Sequence, residues 1–187
     1  MGAYRLSGNR LEEAIPGWPI ARIESCTGSS SAETGGEPGG SGAMKVFIEA
    51  EAGSFEKGRY DESSLERLGT RRANRPYPYP YGFVLGTRTE DGDAVDCYVV
   101  TNDRLRQGDT VECEPVGLLE MLEDGEADHK VVAALPGRAV RADESLRKTL
   151  RDFIIGVFKA YPEVKVEVGA LLPAAEAVAH IARSRGP

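Results

Sequence analysis

Residues 90–101 read EDGDAVDCYVVT, an acidic turn that runs straight into an apolar strand. The Asp91-Gly92 pair is a turn signal, and the run that follows has the composition of a buried strand. Four carboxylates, Glu90, Asp91, Asp93 and Asp96, fall within seven residues. Two unit charges about 4 Å apart repel by about 4 kcal/mol at a surface-like effective dielectric. A purely structural segment has little reason to hold Asp91, Asp93 and Asp96 at the mouth of a strand it buries, whereas a cation site has. Three hard oxygen donors without histidine or thiolate favour Mg²⁺ or Mn²⁺ over zinc. Taken alone, the stretch is also an ordinary acidic hairpin turn.

On either side the same grammar repeats. Strands are expected at 45–50, 82–85, 94–101, 110–120 and 130–134, separated by turn signals such as NDRLRQGD and EDGEAD. Short strands at this spacing suggest a small closed barrel. Helical periodicity takes over afterwards. In DESLRKTLRDFIIGVFK, Leu146, Leu150, Phe153, Ile154, Val157 and Phe158 form one apolar stripe, with Asp143 as N-cap. A further strand is expected in VKVEVG, and a second amphipathic helix over 173–183 with Pro173 at its first position. Strands first and helices last give an α+β domain.

The folded unit is expected to begin at Met44. Residues 25–43 are Gly/Ser-rich with almost no apolar content, so 1–43 reads as a flexible N-terminal extension and 44–187 as one folded domain. The formal charge of −7 makes the chain a poor partner for nucleic acid or an anionic membrane. No run approaches a membrane span, and the first residues are too acidic and proline-broken for a secretory signal. Cys26, Cys97 and Cys113 form no CxxC pair, which argues against a zinc ribbon or a disulfide framework. A cytoplasmic location is expected.

A second acidic run, LLEMLEDGEADHK, carries Glu120, Glu123, Asp124, Glu126 and Asp128 ahead of Lys130. A lone charge run is usually a solvated turn. Two such clusters on neighbouring strands can instead converge, the arrangement that two-metal phosphoryl chemistry requires. RANRPYPYPYGF is stiffened by alternating Tyr and Pro, and it follows several arginines suited to phosphate. Lys57, Arg67, Lys130 and Lys159 could also neutralise a polyanion. No nucleotide-binding glycine loop or nucleophile elbow is present.

In order along the chain, VFIEAE, LERL, YPYPYGFVLGT, DGDAVDCYVV, ECEPVGLLEM, EDGEADHK and a helix ending FK resemble the soluble family I inorganic pyrophosphatases. The resemblance spans about residues 44–168 and implies an OB-like five-stranded β-barrel with flanking C-terminal helices. It further implies Mg²⁺-dependent hydrolysis of pyrophosphate to two phosphates, by direct attack of a metal-bound water. By position, Asp91, Asp96 and Asp128 resemble ligands of the tighter metal sites. Glu123 matches a ligand of further metals, and Glu49 approaches the metals through water. Asp93 resembles the carboxylate that receives the proton of the attacking water. Lys57, Arg67, Tyr81, Lys130 and Lys159 fall where the family contacts phosphate. The resemblance also implies a homo-oligomer, commonly a hexamer. The chain departs from the family pattern at Arg59, where a glutamate is usual, and at Phe158, where a tyrosine is usual. It also departs in a longer segment between Arg67 and Tyr77, which lets Arg71 or Arg72 take the place of Arg67.

Overall fold

Five strands close into a ring in the computed structural model, which describes residues 43–90 and 92–185. These are β1 (Met44–Ala50), β4 (Tyr81–Val84), β5 (Asp96–Val99), β8 (Lys130–Ala134) and β6 (Thr110–Glu123). The order is β1-β4-β5-β8-β6, and β6 returns to pair with β1. Only the β5–β8 pair in the ring is parallel. The expected N-terminal extension lies, apart from Ala43, outside the described residues.

Each ring strand splits its side chains between two faces, as the two-residue period demands. Val46, Ile48, Val84, Cys97, Val99, Cys113, Leu118, Val131 and Ala133 fill the barrel, and Ala177 and Ile181 of α2 (Ala174–Ser184) cover this core. The alternate positions, among them Tyr81, Tyr98, Leu119, Met121 and Val132, pack outward beneath Leu146, Leu150, Phe153 and Ile154 of α1 (Glu144–Phe158). The Cys97 and Cys113 thiols lie inside the barrel, where burial pushes Cys113 up to about 12. Gly82 allows β4 to approach β1 closely, because a Cβ there would sit 1.8 Å from the Phe47 carbonyl oxygen.

Asp143 caps α1 as expected, its Oδ1 accepting from the amides of Ser145 (3.1 Å) and Leu146 (3.2 Å). Pro173 differs from expectation: it ends β9 (Val166–Pro173) and occupies the N-cap of α2 instead of its first helical turn. β6 also runs past its expected end, because Met121 to Glu123 continue pairing with β9 and with β7 (Glu126–Ala127). The turn between β6 and β7 places Asp124 and Gly125 at φ 52° and 86°, a geometry that Asp-Gly tolerates well.

A second sheet was not expected from the sequence. β2 (Glu56–Tyr60) pairs with β3 (Arg67–Arg72) in a polar hairpin outside the ring. EKGRY and RLGTRR lack the apolar alternation that marks a half-buried strand. Tyr60 ties the hairpin to the barrel through an edge-on contact with Phe47 at 4.7 Å between ring centroids. Among the described residues no helix is long and apolar enough to cross a membrane.

Candidate active site

Each of the five ring strands sends at least one polar residue to the same outer cleft: Glu49 from β1, Tyr81 from β4, Asp96 from β5, Lys130 from β8 and Glu123 from β6. Strand parity explains the convergence, since each of these positions is out of phase with its strand's barrel-filling neighbours. Loops and the hairpin add Lys57, Arg71, Asp93 and Asp128 to the lining. The cleft measures about 1230 Å³.

Two lysines are matched with three of the carboxylates. Lys130 Nζ bonds the carboxylates of both Asp96 and Asp128, the latter at 2.7 Å. Lys57 Nζ lies 2.9 Å from Glu49 Oε2 and 4.9 Å from the centre of the Tyr81 ring. The Tyr81 hydroxyl donates to Asp96. Beneath these groups the Tyr81 ring packs at a tilt against Tyr98 (4.8 Å between centroids) and Tyr77 (5.5 Å), which in turn meets Phe153 at 4.9 Å. This aromatic floor excludes water from one side and strengthens every ion pair above it.

The titration behaviour follows. Burial would raise Asp96, but Lys130, Lys57 and the Tyr81 hydroxyl hold it below the ordinary carboxylate range. Burial alone would lower Lys130, yet Asp96 and Asp128 hold its ammonium above the usual lysine range. Lys57 is raised in the same way by Glu49 and Asp96. Glu49 moves the other way, pushed up by burial against the opposing pull of Lys57.

Among the described residues no three carboxylate, imidazole or thiolate side chains form a ready-made ion cage. The donor chemistry still fits a hard divalent cation, because Glu49, Asp93, Asp96, Glu123 and Asp128 offer only oxygen. Their present countercharges at Glu49, Asp96 and Asp128 are two ammonium groups, a positive charge of the kind a cation can also supply. Asp91, expected as a further ligand, lies outside the described residues.

Two expected phosphate contacts are not brought to the cleft. Arg67 Nη2 donates to Thr70 Oγ1 at 2.7 Å and lies outside the lining, and Lys159 is exposed at the end of α1, also outside it. Arg71 stands directly across the hairpin from Lys57 and does line the cleft. Phe158 also lines it. Sequence reasoning missed Glu62, Tyr77, Arg88, His180 and Arg183, all of which line the cleft. Only the Tyr-Pro alternation around Tyr77 gave a usable signal. The others sit in polar loops or on the last helix, with nothing local to set them apart.

Known proteins resemble this chain in sequence and in fold. The family description "Inorganic pyrophosphatase" matches residues 46–185. The inorganic pyrophosphatase of Sulfolobus acidocaldarius is 30% identical over 132 residues, covering 65% of this chain and 75% of its own. That of Nostoc sp. is 30% identical over 139 residues, covering 70% and 81%. The crystal structure of inorganic pyrophosphatase from Thermus thermophilus superposes with a TM-score of 0.69 at 25% identity, covering 78% of this chain and 92% of that one. The inorganic pyrophosphatase structure from Neisseria gonorrhoeae gives 0.69 at 25% identity, with coverage of 77% and 90%. A five-stranded ring that directs carboxylates and lysines into one cleft, matched over most of its length, places this chain in the inorganic pyrophosphatase family.

Proposed function

We propose that the protein hydrolyses inorganic pyrophosphate to two phosphates with a divalent cation, Mg²⁺ foremost and Mn²⁺ as a substitute. The observation that supports this most is the convergence of at least one polar residue from each ring strand on a single cleft, in a chain of this family. Glu49, Asp96, Glu123 and Asp128, with Asp91, would hold the cation. When bound, it supplies charge neutralisation and Lewis acidity for phosphoryl transfer. Asp93 takes the proton of the attacking water. Lys57, Arg71 and Lys130 bind the phosphoryl oxygens and stabilise charge on the departing phosphate. The Tyr81 hydroxyl orients Asp96. No covalent intermediate is required, and hydrolysis is complete once both phosphates leave.

The test is phosphate release from pyrophosphate at neutral pH, with and without millimolar Mg²⁺, in the protein and in Asp93→Asn. Turnover that needs Mg²⁺ and falls by about 10²-fold or more in the variant is expected, the usual scale for a positioned base. Absence of release with any divalent cation would overturn the proposal.

A second substrate is favoured by the hairpin. Lys57, Arg59 and Arg71 share one face of β2–β3, since Lys57 pairs with Arg71 and Arg59 lies two residues along. The cleft also exceeds the ~300–1,000 Å³ typical of small-molecule sites. Inorganic tripolyphosphate in the same assay tests this reading. We further propose a homo-oligomer, hexameric on the family resemblance, and a cytoplasmic location. A monomer in sedimentation velocity would overturn the first, and recovery of the protein in an exported fraction the second.

A further inference from the structure

Glu62 belongs to neither acidic cluster, yet it reaches across the cleft. Its Oε2 accepts the Ala94 amide hydrogen at 2.7 Å, a bond that links residues far apart in sequence. We propose that Glu62 is a positioning residue whose carboxylate clamps the peptide following Asp93 and so fixes the direction in which Asp93 faces the cleft.

Both ends of that peptide are held. The Asp93 carbonyl accepts from the Thr89 amide at 2.8 Å and from Thr89 Oγ1 at 2.9 Å, while Glu62 takes the Ala94 N–H on the other side. The atoms of a peptide unit are coplanar, so anchoring its C=O and its N–H fixes the plane, and with it the ψ angle of Asp93. The turn before it is closed by the Gly92 amide donating to the Thr89 carbonyl at 3.0 Å, with Gly92 at φ 94°.

The loop that presents Glu62 is equally constrained. Asp61 Oδ1 accepts from the Ser63 amide (3.1 Å), the Ser64 amide (2.7 Å) and Ser64 Oγ (3.0 Å). The Asp61 and Glu66 backbones join at 2.9 Å, and Leu65 is held at φ 59°, a left-handed conformation that a leucine rarely adopts. The hairpin tip is thus a rigid arm and not a loose loop. The carboxyl of Glu62 is pushed up to about 7, first by loss of solvent, against the pull of the Ala94 N–H, and further by Asp93, Asp96 and Glu49. Its place among like charges is unfavourable, and the bond to Ala94 offsets part of that cost. An uncharged carboxyl or amide oxygen accepts the same bond, so the clamp depends on the acceptor and not on the charge.

The inference rests on the proposed hydrolysis, and its test separates the two. Pyrophosphate turnover and amide exchange at Ala94 would be measured for the full chain, Glu62→Ala and Glu62→Gln. Glu62 is exposed, so both variants are expected to fold as the parent does. Glu62→Ala is expected to lower kcat about tenfold or more with KM changed less than about twofold, the pattern of a misplaced group and not of lost binding. Its Ala94 amide should exchange about tenfold faster. Glu62→Gln, which keeps an oxygen acceptor, should restore kcat to within about threefold and retain the protection. Parent-like kcat in Glu62→Ala would overturn the inference, as would a Glu62→Gln that falls as far as alanine. If the parent itself showed no turnover, the proposed function would fall, and the Ala94 exchange rates alone would decide for or against the clamp.

Discussion

Replacing Lys130 with methionine should unfasten the site and be repaired by a cation. Lys130 is 6% exposed and bonds both Asp96 and Asp128. Methionine keeps the apolar stem but leaves two carboxylates without their countercharge. Removing one partner of a fully buried ion pair costs about 3–5 kcal/mol. Here the Asp96 and Asp128 side chains keep 25% and 30% of their surface in solvent, so we place the loss lower, at about 2–3 kcal/mol. For a chain of this size that lowers Tm by about 5–10 °C. Lys130 is raised above its ordinary value of 10.5, so its contribution is complete below that pH and disappears only as the pH rises through the folded value. Asp96 is lowered from 3.8, so its share is present above that pH and lost on acidification through the folded value. Melts at pH 7 therefore read the full effect. Thermal unfolding followed by circular dichroism in chelator should show the loss, and millimolar Mg²⁺ should stabilise the variant by more degrees than it stabilises the parent. A drop of under 2 °C, or equal Mg²⁺ responses in the two proteins, would refute the electrostatic account.

Three further outcomes are expected. Glu62 prefers its proton in the folded state, raised from 4.5 to about 7, so ionisation costs stability as pH climbs through that window; the Tm advantage of Glu62→Gln without divalent cations should grow from about pH 4.5 to 7 and then level off. Arg59→Glu should lower kcat/KM for tripolyphosphate about tenfold more than for pyrophosphate, because it reverses a charge beside Lys57 and Arg71 on the hairpin face; parallel phosphate-release assays on both substrates check this. A chain starting at Met44, where β1 begins, should melt within about 2 °C of the full chain and keep its pyrophosphate turnover; clear loss of either would give residues 1–43 a role.

The barrel strands were legible because each combines an apolar run with turn chemistry, as in EDGDAVDCYVVT, and α1 because its apolar stripe and Asp143 cap agree. Asp93, Asp96 and Glu123, which the fold brings to one cleft, stood out through charge placed beside burial. The β2–β3 hairpin was illegible for the opposite reason. Its strands are polar on both faces, and their pairing is fixed by contacts such as Tyr60 on Phe47 that no window of sequence contains. With the hairpin unseen, Arg67 looked equivalent to Arg71, and only the register opposite Lys57 separates them. Lys159 lies outside the cleft lining because it is one residue from a lining position, Phe158, and one residue on a helix is a turn of about 100°.

The alternation along β5 has a consequence for how the molecule can fail. Asp96 and Tyr98 face the cleft while Cys97 and Val99 fill the barrel, and β8 divides Lys130 and Val132 from Val131 and Ala133 in the same way. A slip of one residue in either strand would drive a charged side chain into the barrel and turn an aliphatic one out to the cleft. Closing the ring with the wrong register is therefore penalised by the same side chains that line the cleft. A one-residue slip therefore gives no population of well-packed but chemically inert molecules. The chain inspects its own assembly before any substrate arrives.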